Sequence, residues 1–334
     1  MISLSRVVVI ITVMWLTGCA EPAPPHSTIE QIANEYLAGL MESDALMGTY
    51  YSIEGARHDR LPDNSLSGIA AWQQKEDLWL ARLKLIGAPA EIGSREWVTY
   101  GLLKEQLEGA TATRICRNEL WSASTTTSWH TWIPFVFDIQ PLETPELRAQ
   151  ALARLEAIPT FIDNEIDNLR EGLQLGYSAP RVTVTAVPDQ MRTLLGPESI
   201  FLGPGQRSDD PAFAESVERI YTQQIAPAVN RYADFIETEY LGEAREALAI
   251  SGNPDGAACY PALVRSFVTV GVSAEKIHAV GLKQVANIRE EIQVTLDEHF
   301  GGGDVSEFLR RVNEDPAFTF DTEEAVLQYS TDAL

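Results

Sequence analysis

Histidine spacing decides whether this chain offers a local zinc site. Zinc hydrolysis requires two imidazoles one helical turn apart, a further ligand, and a carboxylate that takes a proton from the bound water. No two histidines here stand four residues apart, and their positions are His26, His58, His130, His278 and His299. We expect no metal ion and no cofactor in these residues. The alternative is a site assembled from distant side chains.

Other catalytic motifs are equally hard to find in the sequence. It contains no Gly-x-Ser-x-Gly nucleophile elbow, and its glycine clusters at 203–205 and 301–303 do not follow strands that would make phosphate loops. His130 lies between Trp129 and Trp132 and could line an aromatic pocket, with ordinary packing as the alternative. We predict no catalytic residue.

Composition limits the partners of the chain. Its 334 residues are 45% hydrophobic, which is enough for a large core, and 48 acidic against 25 basic residues give a formal charge of −23. We therefore expect no nucleic-acid partner, and anionic lipid surfaces are also poor electrostatic partners, because phosphates would be repelled.

The N-terminus has the zones of a secretory signal. Arg6 precedes an apolar run that ends in Leu-Thr-Gly-Cys at residues 16–19, which resembles a lipobox with Cys19 as the acylated first mature residue. We predict a signal peptide over residues 1–18, a tether over 19–26 and a membrane partner through the lipid. Ala20 resembles outer-membrane sorting in Gram-negative lipoproteins, which predicts an envelope protein that faces the periplasm if the host is Gram-negative. An ordinary signal peptide is the alternative.

Two cysteines remain after lipidation. Cys116 and Cys259 would lie in a compartment where disulfides persist, so we expect them to pair. Two buried free thiols are the alternative.

Apolar residues at steps of three and four predict a mainly α fold, a single helical domain over residues 27–334 with little or no sheet. We expect capping boxes at Ser27/Glu30, Asp304/Glu307 and Asp321/Glu324. We also predict a helix that ends at Gly87, one capped by Ser94, and a long helix from Thr144 that Pro159 kinks or divides.

The second half of the chain continues this pattern. Residues 196–211 are rich in Gly and Pro and predict a surface loop, and a helix over 212–239 should bend at Pro227. Ser273 should cap a helix on whose apolar stripe Gly281 indicates close helix contact. The last helix stops without a capping signal, so we expect a truncated domain with exposed apolar surface at its C-terminal end.

The end of the long helix carries the residues that could face a cleft. Gly176 suits a left-handed cap, and Arg170, Tyr177 and Arg181 crowd the corner that follows. The structural alternative is that the arginines are solvated and Tyr177 only closes the turn.

The segments EIDNLREGLQLGYSAPRVTV, RICRNELWSASTTTSW, GNPDGAACYPALVRSFVTVGVSAEKIHAVGLKQVANIREEI and DTEEAVLQYS resemble the bacterial envelope family called domain of unknown function 885. The resemblance runs from about residue 57 to the C-terminus. It implies a helix-rich protein related to zinc metallopeptidases, with zinc and peptides as the partners of an intact relative. It also favours a helix over a strand at 180–187.

The resemblance implies a His-Glu-x-x-His segment that this chain does not contain. We therefore expect an envelope lipoprotein similar to the N-terminal region of such a peptidase and inactive as it stands. The alternative is a non-catalytic binding or structural lipoprotein.

Overall fold

The computed structural model describes residues 28–333, and helices are the regular structure of this range. The predicted signal peptide, the tether and Cys19 lie outside the described residues. The α-helices, in chain order, are α1 Ile29–Ser43, α2 Ala45–Tyr50, α3 Leu66–Ile86, α4 Arg95–Thr113, α5 Pro145–Leu175, α6 Arg181–Val184, α7 Val187–Thr193, α8 Gly203–Gln206, α9 Pro211–Ile220, α10 Ala226–Phe235, α11 Leu241–Glu243, α12 Gly256–Val268, α13 Ala274–His299, α14 Val305–Glu314 and α15 Glu323–Asp332.

Shorter helical turns connect these helices. The 3₁₀ turns are Arg114–Cys116, Asn118–Leu120, Trp129–Thr131, Ile133–Phe137, Ile200–Leu202, Ile250–Gly252 and Pro316–Phe318, and π turns span Tyr221–Ile225 and Ile236–Tyr240. Between residues 28 and 333 there is no β-strand, only an isolated bridge that joins Pro180 to Arg245. The mainly α prediction is confirmed. None of the described helices is long and apolar enough to cross a membrane.

The sequence predicts one helical domain, and the chain divides into two compact units. The first unit holds the described residues up to 111 together with 117–248. Its main core surrounds α5 and α10, and a second, smaller cluster joins α1, α3 and α4. The 3₁₀ turns that follow α4 complete one wall of the main core, where Ile133, Val136 and Phe137 are buried.

The second unit comprises residues 112–116 and 249–333 of the described chain. The predicted disulfide lies within it: Cys116 and Cys259 are bonded, with their Cα atoms 4.9 Å apart. Much of the predicted apolar stripe of α13 is exposed, including Val285 and Ile288, although Leu296 is buried. Apolar exposure at the last helix is confirmed at Val326, Leu327 and Tyr329, which are 42%, 61% and 65% exposed.

Most long helices begin and end where capping chemistry predicts. Ser65 and Ser94 accept backbone hydrogen bonds at the starts of α3 and α4. Thr144 accepts from the amide of Leu147 at the start of α5, and at its end the Tyr177 amide donates to the Gly172 carbonyl around Gly176, whose φ is 83°. This is the 6→1 bond of a Schellman cap.

Three local predictions about helix caps and helix contacts were wrong. The first helix is capped by Thr28 with Gln31, one residue later than the predicted box, and the last is capped by Thr322 instead of Asp321. Of the two outcomes predicted at Pro159, a kink or a division, the structure excludes the division, because α5 runs through Pro159. Gly281 has no atom within 4 Å of where a Cβ would stand, so close helix contact is not the reason for this glycine.

The Gly/Pro-rich stretch is part of the core. Phe201, Pro204 and Gly205 are buried, and the Phe201 ring lies edge-on to Phe137 with centroids 5.6 Å apart. Residues 196–211 therefore fold as two short helical turns instead of the predicted surface loop, because tertiary burial of Phe201 outweighs the local turn preference.

Gly172 is required by a close backbone approach. A Cβ at this position would stand 1.9 Å from the Leu120 carbonyl oxygen, where α5 packs against the 3₁₀ turn Asn118–Leu120. We expect Gly172→Ala to lower the free energy of unfolding by about 2–3 kcal/mol, because a backbone carbonyl cannot move aside without its turn.

The matched control is Gly101→Ala at an exposed position of α4, where a Cβ would meet no atom within 4 Å. This variant should gain ~0.5–1 kcal/mol from helix propensity. Urea denaturation of both variants measures the difference. Equal stabilities would contradict the steric role of Gly172.

Candidate functional site

Arg170 lines a groove between α5 and the helix that contains α10. Its guanidinium donates to both carboxylate oxygens of Glu239, at 3.0 and 2.7 Å, and lies 5.1 Å from the centre of the Phe235 ring. Because both charged partners are about half exposed, this pair contributes little to folding. The hydrogen bonds to Glu239 raise the pKa of Arg170.

The groove has a volume of about 480 Å³ and a mixed charge. A second ion pair, Arg231 with Asp163 at 2.7 Å, crosses it from α10 to α5. Its lining residues are Asp163, Ile166, Asp167, Arg170, Arg231, Asp234, Phe235, Thr238 and Glu239. The groove therefore presents four carboxylates and two guanidinium groups around one aromatic ring.

The other two predicted cleft residues lie elsewhere. Tyr177 is buried at 6% exposure beside the cap of α5. Arg181 donates to the carbonyls of Leu241 and Ala244 and to the carboxylate of Glu246. It thus occupies the carbonyls at the end of α11, and neither side chain lines the Arg170 groove.

The histidines of the described chain are dispersed. His58 bonds Thr49, with Nδ1 to Oγ1 at 2.8 Å, and His130 bonds Gln190, with Nε2 to Oε1 at 3.0 Å. Burial lowers the pKa of both, and for His58 the charge of Arg154 lowers it further. No group of three His, Cys, Asp or Glu side chains within the described residues could hold a metal ion.

His130 packs in an aromatic cluster. The Trp129 ring meets those of His130, Phe161 and Tyr232 edge-on, with centroids 6.0, 6.2 and 5.6 Å apart. Trp129, His130 and Tyr232 are buried, whereas Trp132 is 40% exposed. The histidine therefore belongs to the core and does not face an open pocket.

Arg154 lies at the centre of a buried polar network in the first unit, and it is not among the functional residues that the sequence predicted. It has no exposed surface. Its Nε donates to the Arg60 carbonyl at 3.0 Å, and Nη1 donates to Thr49 Oγ1 at 2.9 Å and Gln140 Oε1 at 2.7 Å. Its Nη2 donates to the carbonyls of Ala45 at 3.3 Å and Arg57 at 3.5 Å.

These five bonds match the five N–H donors of a guanidinium. All five acceptors are neutral, so burial lowers the pKa of Arg154 to about 10, while Asp59 and Asp44 oppose the shift. The side chain stays cationic at neutral pH. A sequence signal exists: Arg154 lies three residues after Ala151 and four before Ile158, on the buried face of α5.

A second polar network holds the loop before α3 against α5. Asn64 donates from Nδ2 to the Phe161 carbonyl at 2.9 Å and to Glu165 Oε1 at 2.8 Å, and its Oδ1 accepts from Asn164 at 3.0 Å. Asn168 donates to the Asn64 carbonyl at 2.8 Å. Burial raises the pKa of Glu165 to about 7, although the hydrogen bond from Asn64 lowers it.

A family model described as "Bacterial protein of unknown function (DUF885)" matches residues 44–334. The chain belongs to this family. The DUF885 chain is similar in fold to a candidate lipoprotein from Colwellia psychrerythraea, whose crystal structure it matches with a TM-score of 0.74 at 18% identity. The match covers 92% of this chain and 58% of the other, so the chain spans little more than half of that protein. A search of curated proteins found no match.

The zinc ion that the family resemblance implies has no matching ligand set in the described DUF885 residues. His58 and His130 are each bonded to a neutral side chain in the interior, and the described part of the chain gathers no three potential ligands. Zinc requires at least three such donors in tetrahedral reach. These residues do not fit a zinc site.

Removing the Arg154 guanidinium tests its role in folding. We expect Arg154→Met to lower the free energy of unfolding by at least ~3 kcal/mol, because several buried acceptors lose a charged donor at once. Arg219→Met on α9 is the control: Arg219 is exposed, and its variant should stay within ~0.5 kcal/mol of the wild type. Urea denaturation gives both values, and a small loss in Arg154→Met would refute the assignment.

Glu165 predicts a pH dependence of stability. Its pKa is raised on folding from 4.5 to about 7, so between these values the folded state binds more protons than the unfolded one. The contribution of Glu165 to stability is therefore largest below pH 4.5 and is lost as pH rises to 7, by about 3 kcal/mol.

Glu165→Gln should remove this part of the pH dependence, while Glu156→Gln, at an exposed position of the same helix, should keep it. Unfolding free energies of the wild type and both variants from pH 4.5 to pH 8 measure the effect. The assignment fails if the wild type and Glu165→Gln respond to pH in the same way.

Proposed function

We propose that this chain is the helical support of a lipid-anchored envelope protein that resembles zinc metallopeptidases, and that these residues alone do not hydrolyse peptides. Cys19 carries the lipid and the protein faces the periplasm in a Gram-negative host. One observation carries the proposal: the buried polar groups of the first unit serve to hold segments together. Arg154 uses all five of its N–H donors in hydrogen bonds to α2, the loop before α3 and Gln140.

Family membership and fold support the first half of the proposal. The chain belongs to DUF885 and resembles a candidate lipoprotein in fold. The proposed lack of peptide hydrolysis is supported by the histidines, because His58 and His130 bond to different side chains and no described group of three residues could hold a metal ion. In an intact relative, we propose that peptides are the substrate and that the catalytic ligands come from residues outside this chain.

A non-catalytic binding lipoprotein is the second candidate, and the Arg170 groove favours it. The groove combines an aromatic floor, Phe235, with two arginines and four carboxylates. Such a set suits a ligand that carries both charges, as a short peptide does. Its arginines already have carboxylate partners, so a ligand would have to compete with Glu239 and Asp163.

Metal analysis and a peptidase assay test the proposal. We expect the purified chain to contain no stoichiometric zinc and to cleave none of a mixed set of short peptides, because it lacks the ligand set. A chelator should leave the thermal midpoint unchanged, since the cores and the disulfide stabilise the fold.

Stoichiometric zinc together with chelator-sensitive cleavage would overturn the proposal and point to a site built from scattered residues. Retention of peptides without cleavage would instead favour the binding lipoprotein. The inert control is the same chain after heat denaturation, which separates retention by the folded groove from nonspecific adsorption.

A further inference from the structure

Helices α1, α3 and α4 of the first unit pack around a core of their own. α3 runs antiparallel to α1. Glu35 of α1 pairs with Arg82 of α3, whereas Tyr36 and Gly39, further along α1, contact Trp79, which comes before Arg82 in α3. Counting outward from the ion pair at 1.5 Å per residue, the start of α1 and the end of α3 lie within about one helical turn of each other along the axis.

The start of α4 lies at the same end. Thr28 and Ile29 share the lining of a cavity of about 470 Å³ with Arg95 and Thr99. Gly87 and Gly93, with φ of 77° and 85°, turn the chain between α3 and α4. This end of the three-helix group therefore holds the α3–α4 corner next to Thr28, the first described residue.

The corner exposes apolar side chains. Leu85 is 88% exposed and Ile92 is 81% exposed, and Ile86, Trp97 and Val98 are exposed by 41%, 37% and 43%. We call these five residues the corner patch. Single exposed apolar residues are normal, whereas five between residues 85 and 98 make this corner a candidate surface for a partner.

The local charge of the corner differs from that of the chain. Residues 84–98 contain two basic residues, Lys84 and Arg95, and two acidic residues, Glu91 and Glu96, so their formal charge is zero, against −23 for the whole chain. A neutral apolar corner can approach a bilayer that would repel the rest of an acidic surface.

We propose that the corner patch inserts into the boundary between headgroups and acyl chains of the membrane that holds the lipid anchor. The inference rests on lipidation of Cys19 in the proposed function. Thr28 lies nine positions after Cys19, and a fully extended chain covers at most about 32 Å over that distance. The anchor thus keeps this end of the first unit at the bilayer, where Trp97 suits the interface and Leu85 and Ile92 suit its apolar side.

Fluorescence quenching in vesicles tests the inference with the full lipidated chain. The Ile92→Cys and Leu248→Cys variants are labelled with an environment-sensitive dye and reconstituted into vesicles of phosphatidylethanolamine and phosphatidylglycerol, with or without brominated acyl chains. Leu248 is the matched control, at 71% exposure in the same unit. Cys116 and Cys259 are bonded to each other, and the lipid occupies Cys19, so the introduced thiol takes the label.

We expect brominated chains to quench the dye at position 92 at least about twofold and to leave position 248 unchanged, because only an inserted side chain reaches acyl-chain depth. Adding Leu85→Glu should reduce quenching at position 92 without loss of helicity, since this side chain is exposed. Equal quenching at the two positions overturns the inference.

Two further measurements separate the failures. An acyl mass on Cys19 without selective quenching overturns the inference alone, whereas its absence overturns the anchor and the inference together. The second measurement uses detergent-free buffer without vesicles. If the dye at position 92 is shielded there and sedimentation shows a dimer, the corner patch contacts a second copy, and the inference is overturned.

Discussion

The buried guanidinium of Arg154 is the constraint on which the first unit depends. A cation without exposed surface is tolerable only when every N–H donor has an acceptor, and here the five acceptors come from α2, the loop before α3 and Gln140. Displacing any of these segments would leave a buried donor unbonded. A single side chain of α5 therefore fixes the positions of α2, the loop before α3 and Gln140.

The loop before α3 is held in place mainly by hydrogen bonds to polar side chains of α5. Residues 51–65 form no regular helix, and Leu61 is their one buried member of the main core. At one end the carbonyls of Arg57 and Arg60 accept from Arg154, and about three turns further along α5 Asn64 bonds to Glu165 and Asn168. A segment with little apolar burial is thus ordered by the polar side chains of one long helix.

The sequence predicts features that are set within one or two helical turns. The caps at Thr144 and Gly176 and the helix end at Gly87 follow local rules, and they are where the rules place them. Phe201 is different: its neighbours favour a loop, and only its packing on Phe137 buries it. Arg154 was not predicted to be buried, because charged residues are ordinarily exposed to solvent. Its position in the sequence nevertheless places it on the apolar face of α5.

The helical stretch that faces α5 across the groove contains two π turns. Pro227, which lacks an N–H donor, lies two residues after the π turn Tyr221–Ile225. Ile220 and Ile225 are both buried and stand five residues apart, a spacing that matches the wider hydrogen-bond pattern of a π turn. The second π turn, Ile236–Tyr240, supplies Glu239 to Arg170 while it keeps Ile236 and Tyr240 in the core. Because π turns are often associated with functional positions, the groove at Arg170 is better placed for binding than Tyr177 or Arg181, the other two residues that the sequence indicated.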